Sequence, residues 1–175
     1  MQKDQGHSKL PESQRIKVTI CTYNARTLAF KSSIDELIMH TRRIGHAVIG
    51  LAETRRRHPF NAVYDTGEEL FLGTCDSRGV GGVGVLVNTS LSMNIDSFEQ
   101  LTTRIGRLRL KRCGSTPALT IFVVYAPTSN YDEEEVVAFY MDLEGFYRED
   151  YSVFKVITGD FDAKIVFRRT SHCDS

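Results

Sequence analysis

The order of the apolar runs constrains this chain more than any other feature. Strand-like segments come in runs, and segments with helical period interrupt them only twice. IKVTICTYN, Ile16 to Asn24, is β-branched, with apolar residues at Ile16, Val18 and Ile20, and reads as a strand. SIDELIMHTRRIG follows. There Ser33 and Glu36 form a capping-box signature, and Ile34, Leu37, Ile38 and Thr41 share one helical face. AVIGLAE is a short buried strand ending at Glu53. Leu70 to Lys111 reads as strand-rich, through LFLGTC, VGGVGVLVN, LSMNIDSF and IGRLRLKR. ALTIFVVYA is the longest apolar strand. Asn130 to Asp132 can cap a second helix, in which Val136, Val137, Phe139, Tyr140, Leu143 and Phe146 keep a 3.6-residue period. YSVFKVITGD is a further strand. This order is neither a plain βαβα alternation nor all-β. It implies an α/β fold of sheets packed together with helices outside. The last strong strand, Val153 to Thr158, is followed only by weakly patterned residues, so the second sheet is expected to lack its final strands.

With 175 residues the chain is long enough for one domain with a real core. The formal net charge is zero, so any case for nucleic acid or membranes must come from local patches. The apolar runs are too short to span a bilayer. The polar start, MQKDQGHSKLPESQR, lacks the apolar core of a secretory signal, and residues 1–15 read as a disordered tail. The domain is expected over 16–169, with a loose tail at 170–175. Cys21, Cys75, Cys113 and Cys173 are scattered and form no C-x-x-C pair, which fits reduced, partly buried thiols in an intracellular protein.

Four polar residues stand at the C-terminal ends of expected strands: Asn24, Glu53, Tyr125 and Asp160. Strand ends that converge on one rim are where catalytic groups gather, although a single polar residue there is more often a turn or helix cap. The set suits phosphodiester hydrolysis. Glu53 offers the hard oxygens Mg²⁺ prefers, and Asp160 suits a general base that activates water. Tyr125 and Asn24 suit holding phosphate oxygens or orienting the carboxylates.

TYNAR, GLAETRR, VYAPTS and TGDFDAK resemble, in order and rough spacing, the motifs of the endonuclease/exonuclease/phosphatase superfamily, which includes the exonuclease III type AP endonucleases. The likeness is strongest to the endonuclease domain of non-LTR retrotransposons and to craniofacial development protein 2-like sequences. It covers about Ile16 to Arg169. The resemblance implies a four-layered αββα sandwich of two mixed sheets, a divalent metal (Mg²⁺, with Mn²⁺ as substitute) and cleavage of a DNA backbone, as in target nicking before reverse transcription. It assigns Glu53 and Asp160 to the metal, and Asn24, Tyr125, Asp160 and Asp162 to catalysis. No small-molecule cofactor and no membrane is implied. A protein acting on DNA would be nuclear, and otherwise cytoplasmic.

Two departures stand out. The family has Asn where this chain has Asp162, and an ionised carboxylate accepts but cannot donate to a phosphate oxygen. Losing one such donor typically lowers the rate about 10²–10³-fold. The family also places a Ser-Asp-His motif well beyond GDFN, while His172 and Asp174 in TSHCDS come too early and in the wrong order. The expectation is an incomplete or decayed endonuclease domain with weak or no activity, and self-association through an exposed sheet edge. Two other readings stay open: an inactive remnant that binds nucleic acid or protein, and a phosphomonoesterase of the same fold.

Other stretches read more plainly. RGVGGVGVLVN lacks the G-K-[ST] of a P-loop and reads as a turn leading into a buried strand. Arg55, Arg56 and Arg57, just after Glu53, suit nucleic-acid phosphates or a solvated loop equally. Arg107, Arg109 and Lys111 give one strand a basic face, read as solvent-facing. The acids of YDEEEVV open a helix and favour its dipole.

Overall fold

The structure is a computed structural model, describing residues 17–26, 28, 31–128 and 130–161. Four layers stack as helix, sheet, sheet, helix. The first sheet has the order β1-β2-β5-β4-β3, from Ile20–Asn24 (β1), Val48–Ala52 (β2), Phe60–Val63 (β3), Glu69–Leu72 (β4) and Val83–Val87 (β5). The second has the order β6-β7-β8-β9, from Ile95–Thr102, Ile105–Leu110, Leu119–Tyr125 and Phe154–Asp160. Both are mixed: β1 pairs parallel with β2, and β8 with β9, while the other pairings are antiparallel.

Alternation within the continuous apolar strands builds the layers. In β2, Val48 and Ala52 face the second sheet, while Ile49 and Leu51 face helix α1, Lys31–Ile44. In β8, Ile121, Val123 and Tyr125 face inward, while Phe122 and Val124 pack under helix α3, Glu133–Glu149, against Phe139 and Leu143. The inner layer is largely apolar, with Val83, Val85, Val87 and Leu108 fully buried.

Several expectations are corrected. Helix α1 begins at Lys31, so Ser33 lies inside its first turn rather than capping it, while Ile34, Leu37, Ile38 and Thr41 do form its buried face. LSMNIDSF is not one strand: a single helical turn, Thr89–Ser92 (α2), is capped by the Asn88 side chain and precedes β6. Strand β3 was not expected. In α3, Val137 is half exposed rather than part of the packed face, and Asp132 stands at the N-cap position without a side-chain capping bond. The basic face of β7 is not simply solvent-facing. Arg107 pairs with Glu99, and Arg109 binds Asp150. Cys113 is exposed rather than partly buried. No helix among the described residues is long and apolar enough to cross a membrane. Asp162, His172, Asp174, Cys173 and both expected tails lie outside the described residues.

Among the described residues β9 is an edge strand, and Val153, Phe154 and Ile157 on and beside it are exposed.

Candidate active site

Close approach of the two sheets aligns their strand ends. Thr22 and Thr158 exchange a hydroxyl hydrogen bond of 2.7 Å across the sandwich, from β1 to β9. Gly50 on β2 faces Val123 and Thr158, where an added Cβ would already press at 3.1 Å. Two residues further along each strand, the chains reach one rim. Asn24 ends β1, Glu53 follows β2, and Tyr125 and Asp160 end β8 and β9 as register partners. The four strand-end residues singled out in the sequence therefore share one end of the sandwich.

Glu53 is the centre of this rim. It is only 2% exposed, yet its carboxylate is fully engaged. Asn24 Nδ2 donates to Oε2 at 3.1 Å, Arg26 donates to Oε1 through Nε at 3.1 Å and Nη2 at 2.9 Å, and Arg55 Nη2 donates to Oε1 as well. Burial alone raises its pKa, but the bonds from Arg26, Asn24 and Arg55 together outweigh burial and hold it below the ordinary carboxylate value. Glu53 is therefore an anion at neutral pH.

The backbone places it there at a local energetic penalty. Glu53 and Arg55 both adopt left-handed φ, 62° and 50°, a strained state for residues with a Cβ. The glycine-rich loop holds this turn. Thr54 N–H donates to Gly82 O at 2.9 Å and Arg55 N–H to Gly81 O at 3.0 Å. Both glycines have positive φ, and a Cβ on Gly82 would collide with the Thr54 hydroxyl. RGVGGVG thus leads into β5, as expected, and also buttresses the Glu53 turn.

Tyr125 is nearly buried, and burial, then the Glu53 carboxylate and Tyr131, push its phenol pKa up. It stays a neutral hydrogen-bond donor over the whole physiological range. Asp160 is half-buried, and its backbone carbonyl accepts from Ala126 N–H at 2.9 Å. Gly159 just before it permits this position. A Cβ there would fall far inside van der Waals contact of the Val124 carbonyl oxygen. We expect Gly159→Ala to destabilise the protein by about 1–3 kcal/mol or more, read as a lower urea midpoint; an unchanged midpoint would show that β9 can shift away from β8.

The three consecutive arginines separate. Arg55 reaches Glu53, Arg56 lies over the Phe60 ring at 5.0 Å, and Arg57 donates to Ser77 O at 3.3 Å. Arg26, which sequence reasoning passed over, is the principal partner of Glu53. The TYNAR motif contained it, but nothing local signals an ion pair across 27 positions. Arg104 was missed for the same reason. It lies over the Tyr125 ring at 5.2 Å and the Tyr131 ring at 4.7 Å.

The family resemblance implies Mg²⁺. Among the described residues no three His, Cys, Asp or Glu side chains cluster. The donor set nevertheless fits a hard cation: two carboxylates, Glu53 and Asp160, come to one rim, and the buried one demands positive charge. The guanidiniums now meeting that demand are themselves substantially exposed, at 46% for Arg55 and 60% for Arg26.

No protein-family model and no curated protein matches the chain. Solved structures do. The endonuclease domain of TRAS1, a telomere-specific non-LTR retrotransposon, is similar at TM-score 0.58 and 14% identity, over 85% of this chain and 62% of that one. The AP endonuclease LMAP from Leishmania major gives 0.61 at 13% identity, over 82% and 54%. The catalytic domain of Xenopus laevis APE2 gives 0.56 at 16% identity, over 89% and 61%. The chain thus spans roughly three-fifths of the length of the structures it matches. Two mixed sheets, their order and their outer helices give this chain the fold of these structures.

Proposed function

We propose that this chain is a divalent-metal-dependent phosphodiesterase of the nucleic-acid backbone, of the retrotransposon endonuclease type, with DNA as substrate. The observation that carries the reading is the buried, ionised Glu53 at a rim shared with Asn24, Tyr125 and Asp160. The likeness in fold to the TRAS1 endonuclease domain supports the endonuclease reading, and the likeness to D. rerio TDP2, solved in complex with a single-strand DNA product, supports DNA as the substrate class.

In this reading Glu53 and Asp160 hold Mg²⁺, which when bound offsets charge building on the phosphate. Asn24 fixes the Glu53 carboxylate through its amide. Tyr125, kept protonated, donates to a nonbridging phosphate oxygen. Asp160 takes the proton of the attacking water as the new phosphorus–oxygen bond forms and the ester bond opposite it breaks. Arg55 and Arg26 bridge Glu53 in the resting site and suit the flanking phosphates once displaced, with Arg56 and Arg57 further along the same loop. Asp162 adds negative charge where the family has a donor, so turnover is expected to be low. The exposed apolar residues of the β9 edge support self-association as a further property.

The test is nicking of supercoiled plasmid with Mg²⁺. Nicking is expected from the protein as it stands, with a gain of about 10²-fold in Asp162→Asn, the size of one restored transition-state donor. Turnover of a phosphomonoester without plasmid nicking would move the reading to a phosphatase. Folded protein that nicks with neither residue at 162 would leave only a binding role.

A further inference from the structure

The strained turn that presents Glu53 is anchored on the opposite sheet by one side chain. Gln100 lies on β6, and its amide bonds a single residue of the loop after β4 in both directions. Oε1 accepts from Thr74 N–H at 2.8 Å, and Nε2 donates to Thr74 O at 2.7 Å. The side chain thus holds Thr74 as the backbone of a neighbouring strand would. Gly73 permits the approach: a Cβ there would stand 2.6 Å from Gln100 Oε1 and 2.8 Å from Val83 O. Two residues earlier on each chain, the rings of Phe71 and Phe98 pack with centroids 5.6 Å apart, so this is the rim end of a longer contact between the sheets.

From Thr74 the contacts lead back to Glu53. Gly73 O accepts from the Thr54 hydroxyl at 3.1 Å, and Thr54 is 2% exposed. Thr54 stands between Glu53 and Arg55, the two residues with left-handed φ. Such a state persists only where the surroundings over-determine it. One hold on the turn is the glycine-rich loop, through backbone bonds to Thr54 and Arg55. The other is made by side chains, the Thr54 hydroxyl and the Gln100 amide in series. The Glu53 carboxylate itself bonds to Asn24, Arg26 and Arg55, so the influence of Gln100 on it passes through the backbone.

We propose that Gln100 and Thr54 are positioning residues for the Glu53 carboxylate, acting in series through Thr74 and Gly73. The effect on metal affinity rests on the metal-binding reading of Glu53 above, whereas the hold on the turn does not.

The test has a metal-free arm and a metal arm. In EDTA, amide hydrogen exchange at Thr54 and Arg55 is expected to speed up about tenfold in Gln100→Met and in Thr54→Val, the shift in local opening from one lost hydrogen bond. Both variants keep side-chain size and remove the bond. Thr54→Ser keeps the hydroxyl and should exchange as the parent does. Mn²⁺ affinity, read by titration calorimetry, should weaken about tenfold in the same two variants, the low end of the cost of removing an outer partner of a metal ligand. The double variant should lose no more than either single one, because both break one chain of contacts. Should one of the two fail to fold, the other carries the same expectation. Asn88→Ala removes the cap of α2 beyond the other end of β5, and should lower the urea midpoint without moving either readout. Parent-like exchange and Mn²⁺ affinity in Gln100→Met, losses that add in the double variant, or equal losses in Asn88→Ala would overturn the proposal. If the parent binds no Mn²⁺, the metal reading fails and the exchange arm alone decides the proposal.

Discussion

Glu53→Gln is expected to reduce plasmid nicking by at least about 10²–10³-fold, the loss typical of one group that stabilises the transition state. The substitution keeps shape and removes the anion. Gln still accepts through its carbonyl oxygen, but its amide would face Arg26 or Arg55, which also only donate. Both guanidiniums are substantially exposed and rehydrate when released, so the loss should appear in rate more than in folding. A role confined to anchoring those arginines predicts the opposite pattern. Urea unfolding would then shift while nicking by the folded fraction stayed within a few-fold of the parent. The pH profile adds a second check. With its pKa held below the ordinary value, Glu53 is ionised throughout neutral pH. Its titration should therefore leave no inflection in the nicking rate near neutrality.

What the sequence disclosed depended on how local the cause was. The buried face of α1 was readable because Ile34, Leu37, Ile38 and Thr41 repeat within one helix. Glu53 was readable because it follows a short apolar strand, and Tyr125 and Asp160 because each ends one. Their convergence was an inference from position that the family resemblance strengthened. Strand β3 escaped because it is four residues long and only partly buried, so its FNAV pattern resembles a loop. The helical turn before β6 depends on one Asn88 side chain, and LSMN alone reads as strand. The charged partners were least legible. Arg26 finds Glu53 across 27 positions and Arg109 finds Asp150 across 41, both set by strand order rather than by any local pattern. The basic face of β7 looked like a solvent or phosphate surface for that reason, when its arginines serve the fold.

Asp150→Ala is expected to lower stability by about 3–5 kcal/mol, the range for breaking a buried ion pair from one side. Asp150 is 2% exposed at the C-terminal end of α3. Its Oδ2 accepts from Arg109 Nε at 3.1 Å and Nη2 at 3.0 Å, and its Oδ1 accepts from the Thr120 hydroxyl at 3.1 Å and Ser152 N–H at 3.0 Å. One carboxylate thus ties α3 to β7, to β8 and to the start of β9, the strand that carries Asp160. Burial alone would raise its pKa, but the bonds from Ser152, Arg109 and Thr120 bring it down to about 2 from an ordinary 3.8. Glu68, just before β4 and bound by Arg42 of α1 and by Thr66, is likewise lowered to about 2. Depressed carboxylate pKa values stabilise the fold above the unfolded-state value and lose that effect as pH falls toward the folded one. At neutral pH Asp150 contributes about 2 kcal/mol and Glu68 about 3 kcal/mol, against a total of about 5–15 kcal/mol for a domain. Acid unfolding should therefore set in between about pH 5 and pH 2. Asp150→Asn keeps an acceptor for Thr120 and Ser152 but loses the charge, so it should fall between parent and Ala in urea. Its stability should also vary less steeply with pH across that window than the parent's. A loss under about 1 kcal/mol in Asp150→Ala, within the range of an exposed pair, would mean that apolar packing alone seats α3. The position of Asp160 would then owe nothing to this network.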